Sequence, residues 1–227
     1  MKLTLEQVKH MMDVAQLSPI ATAAEVEELA QTVKKEDFRF ICIHSLHTKR
    51  AADILKGSKA KVVSCIGFPQ GVIKTALKVM EAQQCVTDGA GEIDMVLALG
   101  ALKAGDYKYA EEDIRAVVKA AGSLPVKVII ETPWLTDKEK VKASQIIQNA
   151  GAAFVKTCTG CSPDPVALYE DIRLIRQTIG PQMGLKASGR VGNYFRLKSM
   201  VEAGATRVGL ILPQAREIIR GWEEENK

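Results

Sequence analysis

Aromatic residues are scarce in this chain, at 5% of its 227 residues. So few cannot build a stacking platform for single-stranded nucleic acid, and no run of lysine and arginine is long enough to act as a nucleic-acid arm. Long apolar stretches are missing too. No segment approaches the roughly 20 apolar residues that span a bilayer, and the opening MKLTLEQVKHMMDVAQL does not read as a secretory signal. Histidine is limited to His10, His44 and His47, whose spacing shows no convergent ligand pattern, so no metal site is expected. The five cysteines, Cys42, Cys65, Cys85, Cys158 and Cys161, are odd in number and scattered. A disulfide framework is therefore not expected, and a reducing cytoplasm is. Cys158-Thr-Gly-Cys161 lacks the second pair that a structural zinc site needs, and reads as two cysteines in a loop.

What is present is ordinary for a globular chain: 47% apolar and 26% charged residues, with a net charge of +4. The length suits one barrel or two small domains. The pattern within it is a regular alternation of short apolar runs and amphipathic stretches. Strands are predicted at 40–44, 62–66, 93–97, 126–131, 153–157, 184–187 and 207–211, with a weaker eighth at 11–15. Several are continuously apolar, as in strands covered on both faces. Helices are predicted at 24–34, 73–87, 109–121, 137–149, 165–178 and 195–202. Thr136 with Glu139 forms a capping-box pattern, and Gly151 can close the same helix at positive φ. Eight strands with intervening helices imply a single (β/α)8 TIM barrel over 1–227, with a doubly wound open sheet as the alternative.

Three ionisable residues interrupt the apolar strands: Asp94 in GEIDMV, Lys156 in AAFVKTCTG and Lys186 in MGLKASG. A buried charge is costly unless paired. Neighbouring strands lie about 4.8 Å apart, so two lysines on adjacent strands come close, and like charges at that range favour a neutral form for one of them. A neutral amine is what attacks a carbonyl. Lys127 and Glu131 share a face of the intervening strand, which suggests either a mouth-facing charge network or an internal ion pair that fixes the barrel. Gly189 opens a loop before a helix, where backbone N–H groups can hold a phosphate.

At these residues the sequence resembles deoxyribose-phosphate aldolase, a class I aldolase family. The matching segments are Ile66-Gly67-Phe68-Pro69, Gly91 to Val96 with Gly100 to Lys103, and Val126 to Thr132. Phe154-Val155-Lys156-Thr157, Lys186-Ala187-Ser188-Gly189 and Glu202 to Arg207 complete them. The resemblance implies reversible cleavage of 2-deoxyribose 5-phosphate to acetaldehyde and glyceraldehyde 3-phosphate, without metal or organic cofactor. Lys156 would form the imine with the substrate C1 carbonyl, Lys186 would lower its pKa, and Asp94 would shuttle protons. Asp13, Lys127, Thr159, Gly160, Gly189, Arg190 and Gly209 are the expected substrate-binding positions. The departures cluster around the phosphate. Arg190 stands at the family's second glycine, as a clamp or a plug, and Leu210-Ile211-Leu212 follow Gly209 where small hydroxyl residues are usual. The alternatives are the same imine chemistry on a less polar or unphosphorylated aldehyde, or a catalytically reduced barrel kept for binding. The expected partners are a small aldehyde or sugar phosphate and further copies of the chain, as a homodimer or homotetramer.

Overall fold

The computed structural model describes residues 3–227. Eight parallel strands pair in chain order and close on themselves. They are β1 Met12–Gln16, β2 Phe40–His44, β3 Lys61–Ile66, β4 Glu92–Val96, β5 Val126–Ile129, β6 Phe154–Lys156, β7 Gly184–Ser188 and β8 Arg207–Ile211. The return of β8 to β1, with Asp13 facing Gly209, excludes the open sheet. The outer ring contains α1 Leu5–His10, α2 Ala23–Lys35, α3 Thr48–Leu55, α4 Thr75–Thr87, α5 Leu99–Lys103 and α6 Tyr107–Ala121. It continues with α7 Asp137–Asn149, α8 Tyr169–Ile179, α9 Tyr194–Glu202 and α10 Leu212–Glu225.

The apolar runs do form strands buried on both faces: every residue of β4 and β5 is buried. The predicted start of α7 is present as a capping box, with Thr136 accepting from Glu139 N and the Glu139 side chain accepting from Thr136 N. Gly151 follows it at φ 82°.

Two boundaries depart from expectation for local reasons. The strand predicted to end at Glu131 ends at Ile129, because Glu131 turns into the left-handed region at φ 50°. The helix predicted from Pro165 begins at Tyr169. Its first residues instead press on the loop after β7, where Ala167 N donates to Gly189 O at 3.0 Å. A side chain at Gly189, which sits at φ 112°, would meet Pro165 O at 2.2 Å. Four helices, α1, α3, α5 and α10, lie outside the segments named from the sequence.

Candidate active site

The barrel register brings the three interrupting charges together. Lys156 on β6 stands opposite Lys186 on β7, and Asp94 on β4 stands opposite Lys127 on β5. Asp94 Oδ2 accepts from both Lys156 Nζ and Lys186 Nζ at 2.8 Å, and Asp94 Oδ1 accepts from Lys127 Nζ at 2.8 Å. Below this level Lys127 reaches Glu92 Oε2 at 2.5 Å. Lys186 also donates to Asp13 Oδ2. Arg207 closes the network, with Nη1 2.8 Å from Asp13 Oδ1 and Nη2 3.3 Å from Glu92 Oε1. Its guanidinium lies 3.5 Å over the Phe40 ring. Four cations thus meet three carboxylates in a nearly dry barrel, and no buried side-chain nitrogen or oxygen among the described residues is left without a partner.

The charges settle unequally. Burial would raise the Asp94 carboxyl, but Lys127, Lys156 and Lys186 hold it well below the usual carboxylate range. Burial pulls Lys186 down, yet Asp13 and Asp94 more than offset this, so its ammonium is held well above its ordinary value. Burial also pulls Lys156 down, Asp94 raises it and Lys186 opposes, leaving it above its ordinary value. The expected lowering of Lys156 by Lys186 is present, but the neutral form that like charges favour for one lysine is not the outcome. Lys186 does act in that direction, but Asp94 outweighs it, and Lys156 rests as an ammonium hydrogen-bonded to one carboxylate.

A cavity of about 480 Å³ opens above this cluster at the C-terminal mouth of the barrel. Lys156 and Lys186 reach its floor. Thr159, Gly160, Gly189, Arg190 and Gln214 stand around it, and Leu17, Pro19, Leu210 and Ile211 give it an apolar side. An amine at the base of a solvent-connected cavity, beside a fixed cation and a carboxylate, suits carbonyl addition and proton transfer.

A model of the DeoC/LacD family aldolases matches residues 6–212. The chain belongs to this family. Deoxyribose-phosphate aldolase of Macrococcus caseolyticus is 48% identical over 198 residues, covering 87% of this chain and 90% of the relative. That of Staphylococcus carnosus is 44% identical over 210 residues, covering 92% and 94%. Among solved structures, the aldolase QR15 superposes with a TM-score of 0.89 at 35% identity, over 96% of this chain and 97% of the other. A deoxyribose-phosphate aldolase from Aeropyrum pernix, described as a unique tetramer, gives 0.89 at 28% identity, over 99% and 94%. The chain is a carbon–carbon lyase of the aldolase type.

Within this aldolase the expected substrate-binding residues divide. Thr159, Gly160, Gly189 and Arg190 line the cavity. Lys127 does not: it is fully buried under Asp94 and bonded to Glu92 and Asp94. Asp13 borders the cavity, but Lys186 and Arg207 take both its oxygens, so it positions Lys186. Gly209 lines the cavity and also leaves room for Lys186, since a Cβ there would meet Lys186 Cε at 3.0 Å and Ser188 Oγ at 2.7 Å. The Lys127–Glu131 network is not formed. Glu131 turns away and accepts from Thr159 N at 3.2 Å, Thr159 Oγ1 at 2.5 Å and Ser162 Oγ at 3.1 Å, holding the loop that follows Lys156. Arg190, at φ 50° and 60% exposed, pairs with Asp164 at 3.0 Å, so a phosphate clamp there is not preformed. Cys158 and Cys161 are free thiols; burial pushes that of Cys158 up to about 11.

Sequence reasoning missed Glu92 and Arg207. Period two would have found them: Glu92 lies two residues before Asp94, and Arg207 two before Gly209, each on the same inward face. It also missed Gln16, Ser18, Ser188 and Gln214, polar loop and strand-end residues on the cavity wall that no spacing rule marks.

Proposed function

We propose that residues 1–227 act as one domain that cleaves 2-deoxyribose 5-phosphate to acetaldehyde and glyceraldehyde 3-phosphate through an imine on Lys156. The observation that carries this is the 2.8 Å hydrogen bond from Lys156 Nζ to Asp94 Oδ2 at the cavity floor. As the substrate carbonyl arrives, Asp94 takes a proton from Lys156, and the free amine adds to C1. Loss of water gives the protonated imine. That cation draws the electron pair of the C2–C3 bond as the C3 hydroxyl loses its proton, glyceraldehyde 3-phosphate leaves, and an enamine remains. Protonation of the enamine at C2 and hydrolysis release acetaldehyde and restore Lys156. Lys186, held by Asp13 and Asp94, stays charged throughout. It lowers the affinity of Lys156 for its proton without competing for the carbonyl.

The test is incubation with acetaldehyde and borohydride. A two-carbon adduct should form and map to Lys156; an adduct on Lys186 reverses the assignment.

A second reading, the same chemistry on a less polar or unphosphorylated aldehyde, is favoured by the cavity's apolar side at Leu17, Pro19, Leu210 and Ile211 and by the engagement of Arg190 with Asp164. The ratio of kcat/KM for deoxyribose 5-phosphate and deoxyribose separates the two.

No helix among the described residues is long and apolar enough to cross a membrane. We place the enzyme in the cytoplasm as a homodimer or homotetramer. Val72, Leu77 and Met80, exposed on and before α4, supply apolar surface for a second copy; light scattering in solution tests this.

A further inference from the structure

Two buried thiols flank Asp94, and the reaction above uses neither. Cys42 on β2 stands opposite Val63 on β3, and Cys65 lies two residues further along that same inward face. Their sulfurs are 3.6 Å apart, and Cys42 Sγ is 3.9 Å from Asp94 Oδ2. The three potential ligand atoms all lie within 4.8 Å of one another. Cys42 borders the cavity, which gives a route from solvent. We propose that Cys42, Cys65 and Asp94 form a site for a thiophilic divalent cation of the zinc type, and that filling it stops the aldolase.

The geometry fits such an ion. Tetrahedral zinc with Zn–S bonds of about 2.3 Å holds two sulfurs about 3.8 Å apart. Two thiolates and one carboxylate leave the fourth position for water from the cavity. On binding, two S–H bonds break, two metal–sulfur bonds form and two protons leave to solvent, with no change of oxidation state. The charge inside the barrel is therefore unchanged. This matters because Lys127, Lys156 and Lys186 would repel a cation that arrived without compensation.

The third ligand explains the inhibition. Asp94 Oδ2 is the oxygen to which Lys156 and Lys186 both donate, and a cation bound there displaces both ammonium groups. The Cys158–Cys161 pair is a poorer site. Cys158 Sγ faces Thr132 and Val166, and Cys161 is exposed on the loop. The inhibitory consequence rests on the Lys156–Asp94 reading of the reaction; the binding does not.

The experiment titrates reduced protein with Cd²⁺, read by thiolate-to-cadmium ultraviolet absorption, and with Zn²⁺, read by the rate of cleavage. One cadmium should bind per chain, and zinc should abolish a rate that a chelator restores. Cys65→Ser should weaken cadmium binding roughly 100-fold or more, since even outer-shell partners of a metal ligand contribute about 10–100-fold. Cys161→Ser should leave the absorption intact. Should Cys65→Ser not fold, Cys42→Ser and the release of two protons per ion from the wild type carry the test. The proposal is overturned if no thiolate band appears, if the band survives in Cys65→Ser, or if it vanishes in Cys161→Ser. Cadmium held at this site without loss of rate overturns its inhibitory half. Failure of borohydride trapping at Lys156 counts against the reaction instead, because the absorption reads binding alone.

Discussion

Among the described residues, the buried lysine–aspartate pair between α4 and α6 and the assembly inside the barrel differ in one respect: only the second borders the mouth cavity. Between α4 and α6, Lys78 Nζ donates to Asp113 Oδ2 at 2.6 Å and to Val96 O at 3.0 Å, while Thr75 satisfies the other carboxylate oxygen at 2.7 Å. One cation meets one anion, both are fully buried, and neither borders the mouth cavity. Inside the barrel, Lys127, Lys156, Lys186 and Arg207 share Asp13, Glu92 and Asp94, and the cavity opens onto Lys156. A balanced pair has no proton to move. A network with one cation in surplus, and one lysine resting on a single carboxylate, does.

The sharpest way to break this comparison is to remove each lysine in turn. Lys156→Leu should end imine trapping and lower kcat roughly 10⁴-fold or more, as loss of a covalent nucleophile does. Lys78→Met strands Asp113 in the interior and should cost about 3–5 kcal/mol of stability, read by urea denaturation, while trapping by the folded protein persists. Loss of trapping in folded Lys78→Met would make the two assemblies one. Next in size is Asp94→Asn, expected to slow kcat about 10²–10⁴-fold. Deuterium exchange at the acetaldehyde methyl group should fall further than the rate of imine trapping; equal losses would leave Asp94 a structural role only.

Lys186→Leu sharpens the electrostatic half. Its charge pulls the Lys156 pKa down, so its removal raises that pKa, and each unit leaves about tenfold less free amine at neutral pH. The pH–rate profile should shift to alkali with partial recovery there. An unshifted profile refutes the role.

Thermal stability against pH is a gentler probe. The Asp13 and Asp94 carboxyls are lowered in the fold, so their stabilisation is present above the ordinary carboxylate pKa of about 4 and is lost as pH falls through the lowered values. Lys186 is raised, so its stabilisation is present below the ordinary lysine pKa and is lost only as pH climbs through the raised value. Tm should be flat through neutrality and drop on the acid side, with a shallower acid limb in Asp13→Asn.

The smallest effect belongs to Arg190. Because it is exposed and shared with Asp164, Arg190→Gly should reduce the preference for the phosphorylated sugar by roughly tenfold, the low end for a charged hydrogen bond. Asp164→Ala, which frees the guanidinium, should increase that preference. No response to either change would leave phosphate recognition to the loop backbone.

The barrel was legible because both sides of each strand are covered, which writes apolar runs into the sequence at positions such as 62–66 and 93–97. The meeting of Asp94, Lys156 and Lys186 was legible for the converse reason, since they interrupt those runs. Glu92 and Arg207 escaped notice by opening their strands, where a charge looks like a boundary. The fate of Lys127 and Glu131 turned on one φ angle, and hydrophobic patterning carries no such information. The direction of the Lys156 proton equilibrium was equally hidden. It depends on how many oxygens each ammonium shares, which only assembled geometry determines.

The contacts of Asp13 have a temporal side. Lys186 and Arg207 reach it from 173 and 194 residues further along the chain. Lys186 therefore gains this second partner, beside Asp94, only once β1 has joined the ring. A nascent chain still emerging from the ribosome carries Lys156 but lacks the surroundings that tune it. Aldolase activity should therefore double as a readout of ring closure. By the same logic, new termini cut into an outer loop, with the old ends joined, should preserve catalysis, while deletion of β1 should abolish it in whatever still folds.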